Sequence, residues 1–86
     1  MSESILRDKS KEFAIDIVNL CREIKEKTRE SILTRQLIRS GTSIGANIYE
    51  AAYAQSKADF ISKLKIALKE CYESEYWMDI LYETNY

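Results

Sequence analysis

Apolar residues recur along this chain at spacings of three and four, which is the period of one face of an α-helix. In the middle of the chain Leu37, Ile44, Ile48 and Ala51 keep this spacing. Comparable stripes occur before and after, separated by two polar breaks, and proline is absent throughout. The pattern predicts an all-α fold with three long helices, at about residues 6–27, 32–53 and 57–83.

Short breaks between long helices make consecutive helices antiparallel neighbours. The predicted architecture is therefore an antiparallel up-down helical bundle that forms one domain over residues 1–86. Ser31 or Thr28 is a plausible N-cap for the second helix, because their hydroxyls can accept a hydrogen bond from its first N–H groups. Ser56 and Asp59 resemble a capping box at the start of the third helix.

The second helix contains both glycines of the chain, Gly41 and Gly45. Each costs roughly 1 kcal/mol relative to alanine in a helix interior. Small residues surround them, so we expect a neighbouring helix to approach this backbone closely. Gly41 and Gly45 are therefore the candidate positions of close helix packing.

The third helix is apolar over more of its circumference than one partner requires. One stripe faces the rest of the chain in our interpretation; it consists of Phe60, Leu64, Ala67, Cys71, Met78 and Leu81. A second stripe about 120° away carries Ile66, Trp77 and Ile80. A helix in a monomeric bundle needs one apolar stripe, so the second predicts self-assembly, with these three residues at the interface.

Polar residues on the second and third helices are candidate inter-subunit or recognition positions. They are Arg39, Ser43, Asn47 and Glu50 on the second helix, and Glu70 and Glu73 on the third. Arg39 and Glu50 lie about 16 Å apart along one helix, so they could pair only across a subunit boundary. For Glu70 and Glu73 we favour partial burial against partners such as Arg35 or Arg39, on the second helix or another subunit.

Composition disfavours catalysis. The chain has no histidine, so the commonest general base and transition-metal ligand are missing. We predict no enzymatic activity, no catalytic residues, no cofactor and no metal site. A carboxylate beside Trp77 with a raised pKa, acting as an acid, stays open as an alternative. Cys21 and Cys71 both fall at positions expected to face the core, as small apolar residues in a reducing compartment.

Charge and hydropathy constrain the surroundings of the protein. A formal net charge of −1 disfavours nucleic acid as a partner. No run of residues is long and apolar enough for a membrane span, and the polar N-terminus does not resemble a signal peptide. We therefore expect a cytoplasmic protein with no membrane partner. Exposed aromatic residues of the third helix, among acidic neighbours, indicate a protein interface more than a base-stacking platform.

The order of motifs resembles a known family. The stretches at 36–52, 54–60 and 65–73, followed by Tyr76 and Trp77, are similar to the bacterial four-helix-bundle proteins, also called 23S rRNA-intervening-sequence proteins. The resemblance covers nearly the whole chain. It implies an up-down four-helix bundle that assembles as a homo-pentamer. Family members usually continue beyond the position of Tyr86, so it also implies that most of the last helix is absent here.

The function that follows is an oligomeric, non-enzymatic assembly or protein-interaction module. Its partner would be a second copy of the chain, in a homo-oligomer such as a pentamer, or another protein. The alternative is a nucleic-acid or ribonucleoprotein accessory protein. The family context suggests this alternative, because some members are encoded within ribosomal RNA genes, and the net charge opposes it.

Overall fold

The computed structural model describes residues 3–86, with side chains from residue 5 onward. This part of the chain is all-α and contains no strand. The helices are α1 (Glu3–Thr28), α2 (Ile32–Ala51) and α3 (Lys57–Glu83). They build a rod with principal extents of 44 × 19 × 18 Å.

The turn between α1 and α2 uses caps that differ from the predicted ones. Arg29 ends α1 in the left-handed region, with φ at 66°, and its N–H bonds the Lys25 carbonyl at 2.8 Å. Ser31 occupies the N-cap position of α2, one of the two predicted positions, but its side chain makes no cap bond. The Glu30 carboxylate caps α2 instead, because it accepts from the N–H groups of the first turn. Thr28 bonds back into α1.

At the start of α3 the cap resembles the predicted one. The Ser56 hydroxyl accepts a hydrogen bond from the Asp59 N–H at 3.1 Å. The Asp59 carboxylate accepts in turn from the Gln55 N–H at 3.3 Å. The two residues therefore satisfy donors on both sides of the helix start.

α2 lies between the other two helices. It packs against both α1 and α3, whereas the described backbones of α1 and α3 make no close contact with each other. The core consists of Ile17, Cys21, Leu37 and Leu81, which are all at most 4% exposed. This arrangement leaves a groove between α1 and α3, with α2 at its floor.

Gly41 and Gly45 lie at the contact between α1 and α2. A Cβ added to Gly41 would lie 3.0 Å from Ile17 Cγ2, and one added to Gly45 would lie 3.3 Å from Ser10 Oγ. Along this contact the residue numbers of α1 decrease as those of α2 increase: Ile17 faces Gly41, and Ser10 faces Gly45. The absence of a Cβ at these two positions lets α1 approach the α2 backbone closely.

Candidate functional site

The α1/α3 groove is an apolar depression with a volume of about 470 Å³. Ile44 and Ile48 form its floor, because the inner face of α2 is left uncovered between its two neighbours. Its walls come from α1 (Leu6, Lys9, Ser10 and Phe13) and from α3 (Leu64, Ala67, Leu68 and Cys71). The lining suits an apolar occupant and offers little chemistry.

The polar groups of the groove mostly have hydrogen-bond or ion-pair partners within the chain. The Ser10 hydroxyl is buried and donates to the Arg7 carbonyl at 2.9 Å. Lys9 stands at the rim, with Nζ 3.9 Å from a Glu12 carboxylate oxygen, and both side chains are well exposed. No group of three potential metal ligands occurs among the described residues.

The two cysteines lie in different environments, which corrects the expectation that both face the core. Cys21 is 1% exposed, and burial, assisted by the negative charge of Glu30, raises the pKa of its thiol. Cys71 is exposed at the rim of the α1/α3 groove. The reason is that α3 turns Ala67 and Ser74 towards α2, and Cys71 stands to one side of that line.

On the opposite side of α3, Arg39 of α2 binds both candidate carboxylates. Its guanidinium donates to Glu70 Oε2 at 2.9 Å and also contacts Glu73 Oε2. The same Glu73 oxygen accepts from Trp77 Nε1 at 3.0 Å. These four residues, Arg39, Glu70, Glu73 and Trp77, form a cluster that joins α2 to α3 within one chain.

The electrostatics of this cluster contradict a catalytic acid at Glu73. Hydrogen bonds from Trp77 and then Arg39 lower the pKa of the Glu73 carboxyl, because both stabilise its charged form. Glu70 is 7% exposed, and Arg39 compensates its charge. The cluster therefore favours the charged form of Glu73 and ties α2 to α3 through Arg39.

Arg39 and Glu50, the candidate inter-subunit pair, each have an ion-pair partner within the chain. Arg39 is engaged by Glu70 and Glu73, and Glu50 accepts a hydrogen bond from Lys63 of α3 at 3.0 Å. Both residues point from α2 to the same neighbouring helix, so each finds its partner within the chain.

The two remaining polar positions of α2 bond to each other. Asn47 Nδ2 donates to the Ser43 carbonyl at 2.9 Å and to the Ser43 hydroxyl at 3.1 Å. Both side chains are half-buried, one turn apart on the same helix. Their amide and hydroxyl groups are thus satisfied locally.

The apolar positions Ile66, Trp77 and Ile80 lie along the side of α3 that faces away from the α1/α3 groove. Ile66 is 39% exposed, while Trp77 and Ile80 are half-buried. Trp77 packs against the core from this side. The stripe is thus partly used within the chain.

A pair of buried serines between α2 and α3 was not anticipated. Ser74 donates to Ser40 Oγ at 2.9 Å, and both residues are at most 1% exposed. Ser40 and Ser74 stand among small residues, and that smallness is the signal that could have revealed a close contact. The pairing of the two hydroxyls depends on the register between α2 and α3. The residue pattern of a single helix does not determine that register.

Comparison with known proteins identifies the chain. Residues 2–86 match the family of 23S rRNA-intervening sequence proteins. The chain belongs to this family. A solved structure from Bacteroides thetaiotaomicron, a protein of unknown function from the S23 ribosomal protein family, is 53% identical, with a TM-score of 0.97. The match covers 100% of this chain and 77% of that one.

This membership agrees with the resemblance inferred from the motifs. No curated protein matches the chain. None of the helices described from residue 3 onward is long and apolar enough to cross a bilayer. The family assignment brings no established activity with it. The function therefore has to be inferred from the surfaces of this chain.

Proposed function

We propose that this 23S rRNA-intervening sequence protein is a non-enzymatic assembly module whose α1/α3 groove packs against the same groove of a second copy. The observation that carries the proposal is the apolar groove itself, bounded by two helices whose backbones do not meet. In a four-helix section, three helices would occupy three corners, and a second copy is the occupant that we propose for the fourth.

Exposure along the groove supports an apolar contact. Leu6 is 36% exposed and Leu68 is 56% exposed, on opposite walls. Leu20 continues the wall of α1 one heptad beyond Phe13 and is 42% exposed. Contiguous apolar surface of this kind is typical of a protein interface. Burying it would release water from both copies at once.

Charge on the rim of α1 favours a second copy as the occupant. Lys9 and Asp16 are seven residues apart, so they share one side of α1, just outside Leu6 and Phe13. If two grooves meet about a two-fold axis that sets the α1 helices antiparallel, Lys9 of each copy lies opposite Asp16 of the other. A two-fold interface is self-complementary in this way.

The same geometry brings the α3 helices together, so Cys71 serves as a reporter. A short bis-maleimide should join two Cys71 thiols and yield a covalent dimer of about 20 kDa, twice the 10.0 kDa chain mass. Cys21 is the internal control, because its burial prevents reaction in the folded state. Light scattering over a dilution series should give the same mass without the reagent.

Two variants separate the groove from the rest of the surface. Leu68→Asp places a charge on the groove wall and should abolish both the dimer and the cross-link. Tyr76→Asp, at a residue that is 58% exposed on the outer side of α3, should leave both unchanged. A wild-type monomer at all concentrations, or a dimer insensitive to Leu68→Asp, would refute the proposal.

The pentamer implied by the family resemblance needs a further contact. A groove-to-groove pair closes on itself with two copies, whereas a ring of five requires two different surfaces on each chain. The side of α3 with Ile66, Trp77 and Ile80 is the remaining apolar surface for such a contact. A solution mass near 50 kDa would favour the ring over the pair.

A further inference from the structure

The outer face between α1 and α2 carries a strip of positive charge that the net charge of the chain conceals. Three neighbouring depressions lie along it, the largest with a volume of about 340 Å³. Five cations line them: Arg7, Lys11, Arg22, Lys25 and Arg35. Among the side chains described from residue 5 onward, no Asp or Glu lines these depressions. We call this face the basic groove.

The spacing of residues on α1 creates this separation of charge. At 100° per residue, Arg7, Lys11, Arg22 and Lys25 lie within about 60° of one another. Of the described acids of α1, Glu12, Asp16 and Glu23 lie on the other side of the helix, whereas Asp8 and Glu26 border the basic face about 40° from Arg22. A formal net charge near zero for the whole chain therefore coexists with one basic face.

Most of these cations have no counter-ion in the chain. Within the described residues, Lys11, Arg22, Lys25 and Arg35 form no ion pair, whereas Lys27 is paired with Glu23 at 2.7 Å. Arg22, Lys25 and Arg35 converge on the depression at the turn end, with Ser31 beside them. Three unpaired cations around one depression create a site for negative charge.

Aromatic rings lie at the other end. Tyr49 lines the depression that contains Arg7 and Lys11. Its ring stacks obliquely on Tyr53, with centroids 5.5 Å apart, and the two residues are 53% and 69% exposed. Exposed rings beside cations can stack on nucleobases while the cations bind phosphates. An acidic peptide would gain from the cations alone.

We propose that the basic groove binds single-stranded nucleic acid, with the five cations on phosphates and Tyr49 and Tyr53 against bases. The cations extend over about 27 Å, from Arg7 to Lys25 at 1.5 Å per residue. That length accommodates on the order of eight nucleotides at 3.4 Å each. This site lies on a different face from the α1/α3 groove, so it does not depend on the proposed self-assembly.

The test is fluorescence anisotropy with a labelled 12-nucleotide RNA of mixed sequence, and DNA of the same sequence, between 50 and 200 mM salt. Five phosphate contacts predict a slope of log affinity against log salt of about −3.5, a loss of about 100-fold over this range. The variant Arg22→Gln/Lys25→Gln/Arg35→Gln should reduce the slope to about −1.4. All three residues are exposed, so the fold should persist, as circular dichroism would verify.

A matched control removes the same charge elsewhere. Lys57→Gln/Lys65→Gln/Lys69→Gln neutralises three exposed cations of α3 and should leave the slope near −3.5. The variant Tyr49→Leu/Tyr53→Leu should weaken binding about tenfold with the slope unchanged, because stacking is insensitive to salt. Binding of RNA alone would indicate contacts to the ribose hydroxyl; binding of both strands would indicate phosphates and bases only.

Other outcomes would overturn the proposal. Absence of binding at 50 mM salt would do so. Equal losses of affinity in the Arg22/Lys25/Arg35 variant and in the triple variant of α3 would do so as well. Poly-glutamate of matched charge that displaces the RNA as well as unlabelled RNA does would assign the basic groove to an acidic protein instead. Equal binding of a 12-base-pair duplex would remove the role of the tyrosines.

Discussion

The two helix contacts of this bundle, between α1 and α2 (the first seam) and between α2 and α3 (the second seam), are held together in different ways. Between α1 and α2, contact depends on shape, because Gly41 and Gly45 let Ile17 and Ser10 approach the α2 backbone. Between α2 and α3, contact depends on polar groups: the Ser40–Ser74 pair inside and the Arg39 cluster at the edge. Shape tolerates added volume poorly, whereas surface ion pairs contribute little each. The seams should therefore respond differently to mutation.

The largest effect is expected at the first seam. In Gly41→Val the new side chain must enter a space where even a Cβ would lie 3.0 Å from Ile17 Cγ2. Overpacking of this kind should lower the free energy of unfolding by about 3 kcal/mol. Urea unfolding, with variants compared at equal protein concentration, is the measurement, because self-association would make stability depend on concentration.

Gly45→Ala is the matched control for this prediction. Its Cβ would lie 3.3 Å from Ser10 Oγ and 3.4 Å from the Ser10 carbonyl oxygen, a mild conflict. The roughly 1 kcal/mol gain in helix propensity should offset it, leaving stability nearly unchanged. Similar losses for both variants, or none for Gly41→Val, would contradict the idea that Gly41 is the point of tightest approach.

The buried serine pair at the second seam should give the next largest effect. Ser74→Ala leaves the Ser40 hydroxyl without its cross-helix partner and should cost about 1–2 kcal/mol. The double variant Ser40→Ala/Ser74→Ala removes both hydroxyls, so it should cost less than the sum of the single changes. A strictly additive double-mutant cycle in urea would show that the two hydroxyls do not interact.

A smaller loss of stability is expected at the turn between α1 and α2. Glu30→Ala removes the carboxylate that accepts from the N–H groups of Ile32, Leu33 and Thr34. Loss of such a cap should cost about 1 kcal/mol. Ser31→Ala is the control and should change stability by less than about 0.5 kcal/mol, because its side chain makes no cap bond. Thermal unfolding of the two variants side by side tests the assignment.

The two seams also show how far sequence reasoning extends. The periodicity of apolar residues predicts three helices because every turn of a helix repeats the signal. Apolarity alone misplaced the contact line of α3: its centre carries Glu70 and Ser74 together with Ala67 and Leu81 of the first stripe, between Cys71 on one side and Ile66 and Ile80 on the other. Small residues in the centre let α2 approach closely, and this is why Cys71 is at the rim and not in the core.

Partners across the seams were harder to predict than the seams themselves. Arg39 binds Glu70 and Glu73 because residues 31 and 34 positions apart come level when α3 returns along α2. That register depends on the length and caps of the turn at 52–56, and a one-turn shift would place other groups opposite Arg39. Glu30 was overlooked for a similar reason: its carboxylate reaches the first turn of α2 only because Arg29 adopts a positive φ.

The smallest effect on stability is expected when the pH is lowered, through Glu73 at the edge of the second seam. The pKa of Glu73 is lowered in the folded chain, below the ordinary value of 4.5, by hydrogen bonds from Trp77 and Arg39. A lowered folded pKa means that the unfolded chain binds the proton first as the pH falls. The contribution of Glu73 is therefore fully present at neutral pH, begins to decline near pH 4.5 and is lost as the pH passes through the folded pKa.

Glu73→Gln should flatten this part of the acid profile, because an amide does not titrate. The urea midpoint of this variant should fall less between pH 6 and pH 3 than that of the wild type. Glu75→Gln removes an exposed carboxylate of the same helix and is the matched control, with a profile close to wild type. Acid sensitivity remains in both variants, because the pKa of Glu30 is lowered by backbone N–H bonds that outweigh its partial burial and the pKa of Glu23 is lowered by the hydrogen bond from Lys27. If Glu73→Gln and Glu75→Gln have identical profiles, solvent screens the Arg39 cluster so strongly that the second seam rests on its serine pair and apolar contacts alone.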